Sequence, residues 1–367
     1  MLSVEFEEQI KKLRNLMNGK YFKLEEYYRI VLDSLNWKGN VSDLLDEKGA
    51  KEFINHTFES ERDNSKIKAC LDSITPFRAV HTLSSFLLGV VVKNQLSIDM
   101  RKWRRLPNEK TLRGSFILFW KWICLFHDIG YCYENNSNEY TDCKSISKLI
   151  ERLKIDNSLL DNSDNASIIE NYYSMRIEKN EVDHGIVGAL LLYDALIDLS
   201  DNSEQYSKIK NHREFYVKIC DAIALHNMWR VTNLDDKQKV KEYMDKGLQS
   251  LIKNSDETHK IFLNDNQLLF LLSLVDTIDP IKALSNSDES PTTKGLVEIM
   301  EQVEVEFIYN RKGIKKRITL KCDNPRFKGF AKKQIDEKSG LQTWLGVDVD
   351  YMGDNLIIDI NTERSIR

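Results

Sequence analysis

The sequence predicts a mainly helical protein, with an all-helical core and a small α+β module at its C-terminal end. Three observations carry this. Only 5 Pro and 15 Gly occur in 367 residues, which favours long helices over a turn-rich β fold. Between residues 74 and 290 the apolar residues recur in long helical stretches. After about residue 290 the period shifts to alternation, the mark of half-buried strands.

Residues 1–73 read as helices joined by polar connectors, SVEFEEQIKKLRNLM and then KLEEYYRIVLDSLNW, packed on the core. The helical domain spans 74–290. Thr75-Pro76 is a cap followed by a helix-starting proline, and it opens PFRAVHTLSSFLLGVVVKNQL. A basic loop, RKWRRLPNEK, leads to the very apolar FILFWKWICLFHDIGY. Gly130 there is expected to end the helix in a left-handed conformation. Residues 134–182 are polar and Asn- and Ser-rich, with KSISKLIERLKI as a surface helix. Asp183 is placed to cap HGIVGALLLYDALIDL, and HREFYVKICDAIALHNMW is a further helix. LDDKQKVKEYMDKGLQSLIKN is charged and external. Asp265 is expected to cap NQLLFLLSLVDTID, which Pro280 stops. Residues 291–367 read as two β-hairpins and a helix. VEVEFIYN and IKKRITLKC flank Arg311-Lys312-Gly313, PRFKGFAKKQ forms the helix, and VDVDYM and NLIIDI flank Gly353-Asp354.

Composition narrows the function. Hydrophobic residues make up 41% and charged residues 30%, as in ordinary soluble globular proteins. Lys and Arg total 53 against 57 Asp and Glu, a net charge of −4. That balance gives no global attraction for nucleic acid or acidic lipid. MLSVEFEEQIKKL is a charged, amphipathic start rather than a signal peptide. The longest apolar run is too short to span a bilayer. Cysteines at 70, 124, 132, 143, 220 and 322 form no CxxC pair, so they read as free thiols of a cytoplasmic protein. GxSxG, Walker and GxGxxG motifs are lacking.

Four of the seven histidines share an odd placement. His81 lies in FRAVHTLSSFLLG, His127 ends FWKWICLF, His184 begins GIVGALLLY, and His226 ends ICDAIAL. A fifth apolar helix, LLFLLSLV, leads into Asp276. His56, His212 and His259 sit among polar residues and read as surface groups. Taken singly, each histidine of the first set suits a hydrogen-bonded core. Together, five packed helices each push an imidazole or carboxylate inward, which is costly unless the groups share a charge. A metal centre supplies it, since imidazole and carboxylate suit Zn, Mn, Fe, Co or Ni. In the His127-Asp128 pair the imidazole can take one ion, and the carboxylate can bridge to a second.

The order His81, His127-Asp128, His184, His226, Asp276 resembles the HD superfamily of metal-dependent phosphohydrolases over residues 74–285. The resemblance implies an all-helical core and a four-ligand site of His81, His127, Asp128 and Asp276. His184 and His226 match the two-metal subset, with Asp128 bridging. One or two divalent ions (Mn, Fe, Co, Ni, Zn or Mg) are implied. So is hydrolysis of a nucleotide or other phosphoester by a metal-bridging hydroxide, with His127 and Asp128 at the catalytic centre. The chain departs from the family's HDxGK form at Tyr131, and Asn227 follows His226 where cyclic-di-GMP hydrolases have a second His. Two alternatives stand beside this reading: a dinuclear-iron oxygenase of the same superfamily, and a non-catalytic, metal-stabilised regulatory or adaptor module.

A phosphorylated substrate needs further positive or stacking groups. Arg78 lies three residues before His81, on nearly the same helix face. Arg101, Lys102, Arg104 and Arg105 could reach over a pocket mouth. Tyr131 could stack on a base or donate to a phosphate, and Arg230 lies one turn beyond His226. For each, a solvated or packing role is the simpler alternative. Asp279 is expected to support the helix end rather than bind metal. The expected partner is a small phosphorylated substrate, with no membrane and no nucleic acid indicated by net charge. The C-terminal strands offer edges through which a homo-oligomer could pair.

Overall fold

The computed structural model describes residues 17–35, 37–44, 46–61, 64–98, 115–155, 159–202, 213–285, 300–309 and 316–362. The basic loop with Arg101, Lys102, Arg104 and Arg105, His212, the turn Arg311-Lys312-Gly313 and most of the first amphipathic stretch lie outside the described residues. The described residues are mainly helical, with one small five-stranded antiparallel sheet. No single described helix is long and apolar enough to cross a membrane. Two compact units form, and neither is one stretch of sequence. The first takes Met1–Phe53, Pro76–Trp120 and Lys260–Arg367; the second takes Ile54–Thr75 and Lys121–His259.

In the first unit the central element is the helix Pro76–Gln95. It begins at the proline after Thr75, where a missing backbone N–H costs nothing. From Ala79 to Val92 every residue is buried, so it packs on more than one side. The helix Leu24–Ser34 lies against it and buries Leu24, Tyr27, Tyr28, Val31 and Leu32, the i, i+3, i+4, i+7, i+8 stripe of a one-faced helix. Tyr28 fixes that contact by hydrogen bonding to Ser84 Oγ at 3.0 Å. The helix Gln267–Ile278 packs on it too. Its N-cap is Asn266, whose side chain accepts from Leu269 N at 3.0 Å. This corrects the expectation of Asp265: the cap must lie directly before the first helical residue for its oxygen to reach the third N–H.

The sheet orders its strands β1-β2-β3-β5-β4, with β1 Tyr21–Lys23, β2 Glu304–Tyr309, β3 Lys316–Lys321, β4 Val347–Met352 and β5 Asn355–Ile360. Both predicted hairpin pairings form, β2 with β3 and β4 with β5. The register places Val305 opposite Leu320 and Phe307 opposite Ile318, while Ile318 and Leu320 face Ile358 and Leu356. These residues are buried, so alternation resolves into one apolar face. Gly353, at φ +60°, gives the positive φ that a tight hairpin turn requires at its first central residue. Strand β1 is a correction to the all-helical reading of residues 1–73. Three residues carry too little periodicity to betray a strand, and its pairing with β2 is non-local. Lys316, buried on β3, donates to Leu96 O at 2.8 Å, placing a cation at the carboxyl end of the Pro76–Gln95 helix.

In the second unit the helices His184–Asn202 and Arg213–His226 form the most extensive helix pair. Asp183 caps the first of them, accepting from Ile186 N at 3.0 Å. The region 134–182 holds more structure than its polarity suggests. The helix Ala166–Ile177 buries Ile169, Tyr172, Tyr173, Met175 and Ile177. Asp221 anchors the turn before it, accepting from Ser163 Oγ at 2.6 Å and Asn165 Nδ2 at 2.8 Å. All six cysteines are free thiols. His259, read as a surface group, is buried instead, because tertiary packing covers a locally polar stretch.

Candidate metal centre

His127 and Asp128 occupy the last turn of the helix Ser115–Ile129. Gly130 follows, and its role differs from the expected left-handed stop. Its backbone is right-handed, at φ −67° and ψ −10°. A Cβ on it would lie 2.0 Å from His184 O, so glycine is required by close backbone approach. Gly188 serves likewise, since a Cβ there would lie 2.0 Å from Phe126 O. These two glycines bring the start of the His184 helix against the end of the His127 helix.

Within the second unit three imidazoles therefore meet. The His226 ring lies 5.5 Å from those of both His127 and His184. Each is oriented through Nδ1. His127 Nδ1 meets Cys124 O at 2.7 Å, and His226 Nδ1 meets Ile223 O at 2.6 Å. His184 Nδ1 meets Glu134 Oε2 at 2.5 Å. A carbonyl or carboxylate there demands a proton on Nδ1, which assigns the lone pair to Nε2. Metal-binding histidines are commonly prepared in this way. Asn227 adds contacts to Asp183 Oδ2 at 3.2 Å and His184 Nδ1 at 3.3 Å.

In the first unit His81 is fully buried, with a carboxylate on each side. Nδ1 meets Asp279 Oδ2 at 2.8 Å and Nε2 meets Asp276 Oδ1 at 2.9 Å. Asp279 also accepts from Ser84 Oγ at 2.9 Å and Ile281 N at 3.1 Å. It thus closes the helix end, as expected, and also holds the His81 ring from its Nδ1 side. His81 Nε2 and Asp276 Oδ1 are at hydrogen-bond distance, and imidazole and carboxylate are both ligand types that would suit a divalent ion.

Among the described residues, His81, His127 and Asp128 form a buried group that could hold a metal ion. One ligand atom from each lies within 4.8 Å of the others.

The surrounding charges have physical causes. Burial pushes the Glu134 carboxyl upward, but the hydrogen bond from His184 and the charges of His184 and Arg176 outweigh it and hold it below the carboxylate range. Arg176 binds Glu134 at 3.1 Å and Glu181 at 2.8 Å, with its guanidinium 4.7 Å from the Trp229 ring centre. Burial raises the Asp183 carboxyl, against the opposing pull of His184.

The substrate-binding candidates fall in varied places. The Tyr131 ring stacks on His184 at 3.8 Å. Arg78 is half-buried, its guanidinium 5.8 Å from the Phe77 ring centre. Arg230 donates to His259 O at 2.7 Å and Met228 O at 2.8 Å, and burial lowers its pKa to about 10. Its guanidinium thus braces backbone. Arg104 and Arg105 lie outside the described residues.

Sequence reasoning missed Glu134 and Lys282. Glu134 sits in a polar run seven residues after His127, where nothing marks it as the partner of His184. Lys282 Nζ lies 2.6 Å from Asp276 Oδ1, and a Lys six residues after Asp276 looks like any other. No protein-family model, curated protein or solved structure matches the chain.

Proposed function

We propose that this chain is a metal-dependent phosphohydrolase or phosphodiesterase acting on a nucleotide or another small phosphoester. The observation that carries the reading is the buried His81–His127–Asp128 group. His184, His226 and Asp276 would complete a set of four imidazoles and two carboxylates for one or two divalent ions. The residues present fit such ions: each imidazole has its Nδ1 on a hydrogen-bond acceptor, which leaves Nε2 as the ligand atom, and burial removes competing water.

Bound ions would supply Lewis-acid stabilisation of a phosphoryl group and lower the pKa of coordinated water. The protein's part is placement. Asp279 and Glu134 hold the His81 and His184 rings through Nδ1, and the i−3 carbonyls do the same for His127 and His226. Asp128 offers two carboxylate oxygens at the centre. No Ser, Cys or Lys nucleophile is called for.

The test is metal analysis followed by a screen of phosphorylated metabolites, nucleotides and short oligonucleotides with Mn, Co, Ni, Fe, Zn and Mg, beside Asp128→Ala. Phosphate or nucleoside released by the wild type alone supports the proposal. Two bound irons with oxygen uptake would point to the oxygenase reading. Metal uptake without turnover, with a folded Asp128→Ala variant that keeps the biological effect, would point to the adaptor reading.

A further inference from the structure

Asp276 Oδ1 has two nitrogens close to it, His81 Nε2 at 2.9 Å and Lys282 Nζ at 2.6 Å. The two differ in freedom. His81 is locked from its far side by Asp279 and is fully buried. The Lys282 side chain is 29% exposed and ends in a compact point charge on a flexible stem. Its backbone, by contrast, is fixed. Lys282 N donates to Asp279 O at 3.0 Å, and the neighbouring Ile281 N donates to Asp279 Oδ1. The short helix Lys282–Ser285 also packs on the helix Pro325–Gln334. An anchored backbone with a partly exposed ammonium on a flexible stem suits a group that changes partner.

The contact also has a competitive logic. An ammonium and a divalent cation both seek the same carboxylate oxygen. An ion that takes Asp276 Oδ1 weakens the Lys282 contact by repulsion and leaves the ammonium beside the centre. We propose that Lys282 is an anion-binding residue of this centre, paired with Asp276 when the metal is absent and turned to a phosphate oxygen when it is present. The proposal rests on the phosphohydrolase reading and adds to it the cation that receives the substrate's charge. Lys is a common phosphate partner as a point charge.

The experiment titrates Mn²⁺ into the full chain by calorimetry for wild type, Lys282→Met, Lys282→Gln and Lys282→Arg, then titrates inorganic phosphate into each Mn²⁺-loaded protein. Both neutral variants should bind Mn²⁺ about 5-fold more tightly, because the competing cation is gone. They should bind phosphate about 10-fold more weakly, because a charge-assisted hydrogen bond is lost. Lys282→Arg should follow the wild type in both. Unchanged or weaker Mn²⁺ binding in the neutral variants overturns the proposal, as does unchanged phosphate binding. If the wild type takes up no divalent metal, both this proposal and the phosphohydrolase reading fall. If it binds metal and cleaves phosphoesters while the neutral variants match it in both titrations, only the role of Lys282 falls. Thermal unfolding of all four proteins checks that the partly exposed position tolerates the change, and Lys282→Gln carries the comparison where Lys282→Met does not fold.

Discussion

The imidazoles held by their own helix differ from those held by distant carboxylates. His127 and His226 each rest Nδ1 on the backbone carbonyl three residues earlier, so the helix that carries the ring also orients it. His81 depends on carboxylates 195 and 198 residues away, and His184 on Glu134, 50 residues away. A carbonyl partner is neutral and comes with the helix. A carboxylate partner brings charge into a buried place and binds distant segments together. The first arrangement is robust to mutation and electrically quiet. The second is vulnerable, because loss of one member leaves the others buried and uncompensated.

The largest effect should therefore fall at Asp279. Asp279→Ala removes the partner of His81, Ser84 and Ile281 N together, and should destabilise the protein by about 3–5 kcal/mol in urea unfolding. A cost below about 1 kcal/mol would erase the distinction between the two kinds of support. Next comes Glu134→Ala, which frees the His184 ring and should weaken Mn²⁺ binding by about 10- to 100-fold in calorimetry, as loss of a metal ligand's outer partner commonly does. Gly130→Ala tests the close approach to His184 O, and overpacking there should cost about 1–3 kcal/mol of stability.

A smaller effect is expected in acid. The folded Glu134 carboxyl titrates below its ordinary value of 4.5. The metal-free native state thus gains stability from Glu134 that is complete above about pH 4.5 and is lost as pH falls through the depressed folded pKa. Glu134→Gln should flatten that part of the stability–pH curve, and an unchanged acid limb would show that the carboxylate adds nothing. Smallest of all is the sheet's half-buried ion pair of Arg317 with Asp359. Asp359→Asn should change stability by less than about 1 kcal/mol, which provides a baseline for the buried carboxylates.

Much of the fold could be read locally. The Thr75-Pro76 start, the Asp183 cap, the stop before Pro280 and the Gly353-Asp354 turn are rules of adjacent residues, and each holds. Where local signals were weak, the reading slipped. Asn266 takes the cap from its neighbour Asp265. Gly130 is required by a backbone from another helix and not by its own φ. His259 is covered by packing that its polar surroundings conceal.

The sequence by itself determined which helices carry an imidazole or carboxylate and which end of each helix presents it, because apolar periodicity and caps act over a few residues. Only the tertiary structure decided that Asp279 and Glu134 hold the His81 and His184 rings, that Lys282 sits on Asp276, and that residues 21–23 join a sheet formed some 280 residues later. These contacts depend on chain closure over long separations, and nothing in a local pattern records which distant charge will complete a buried one.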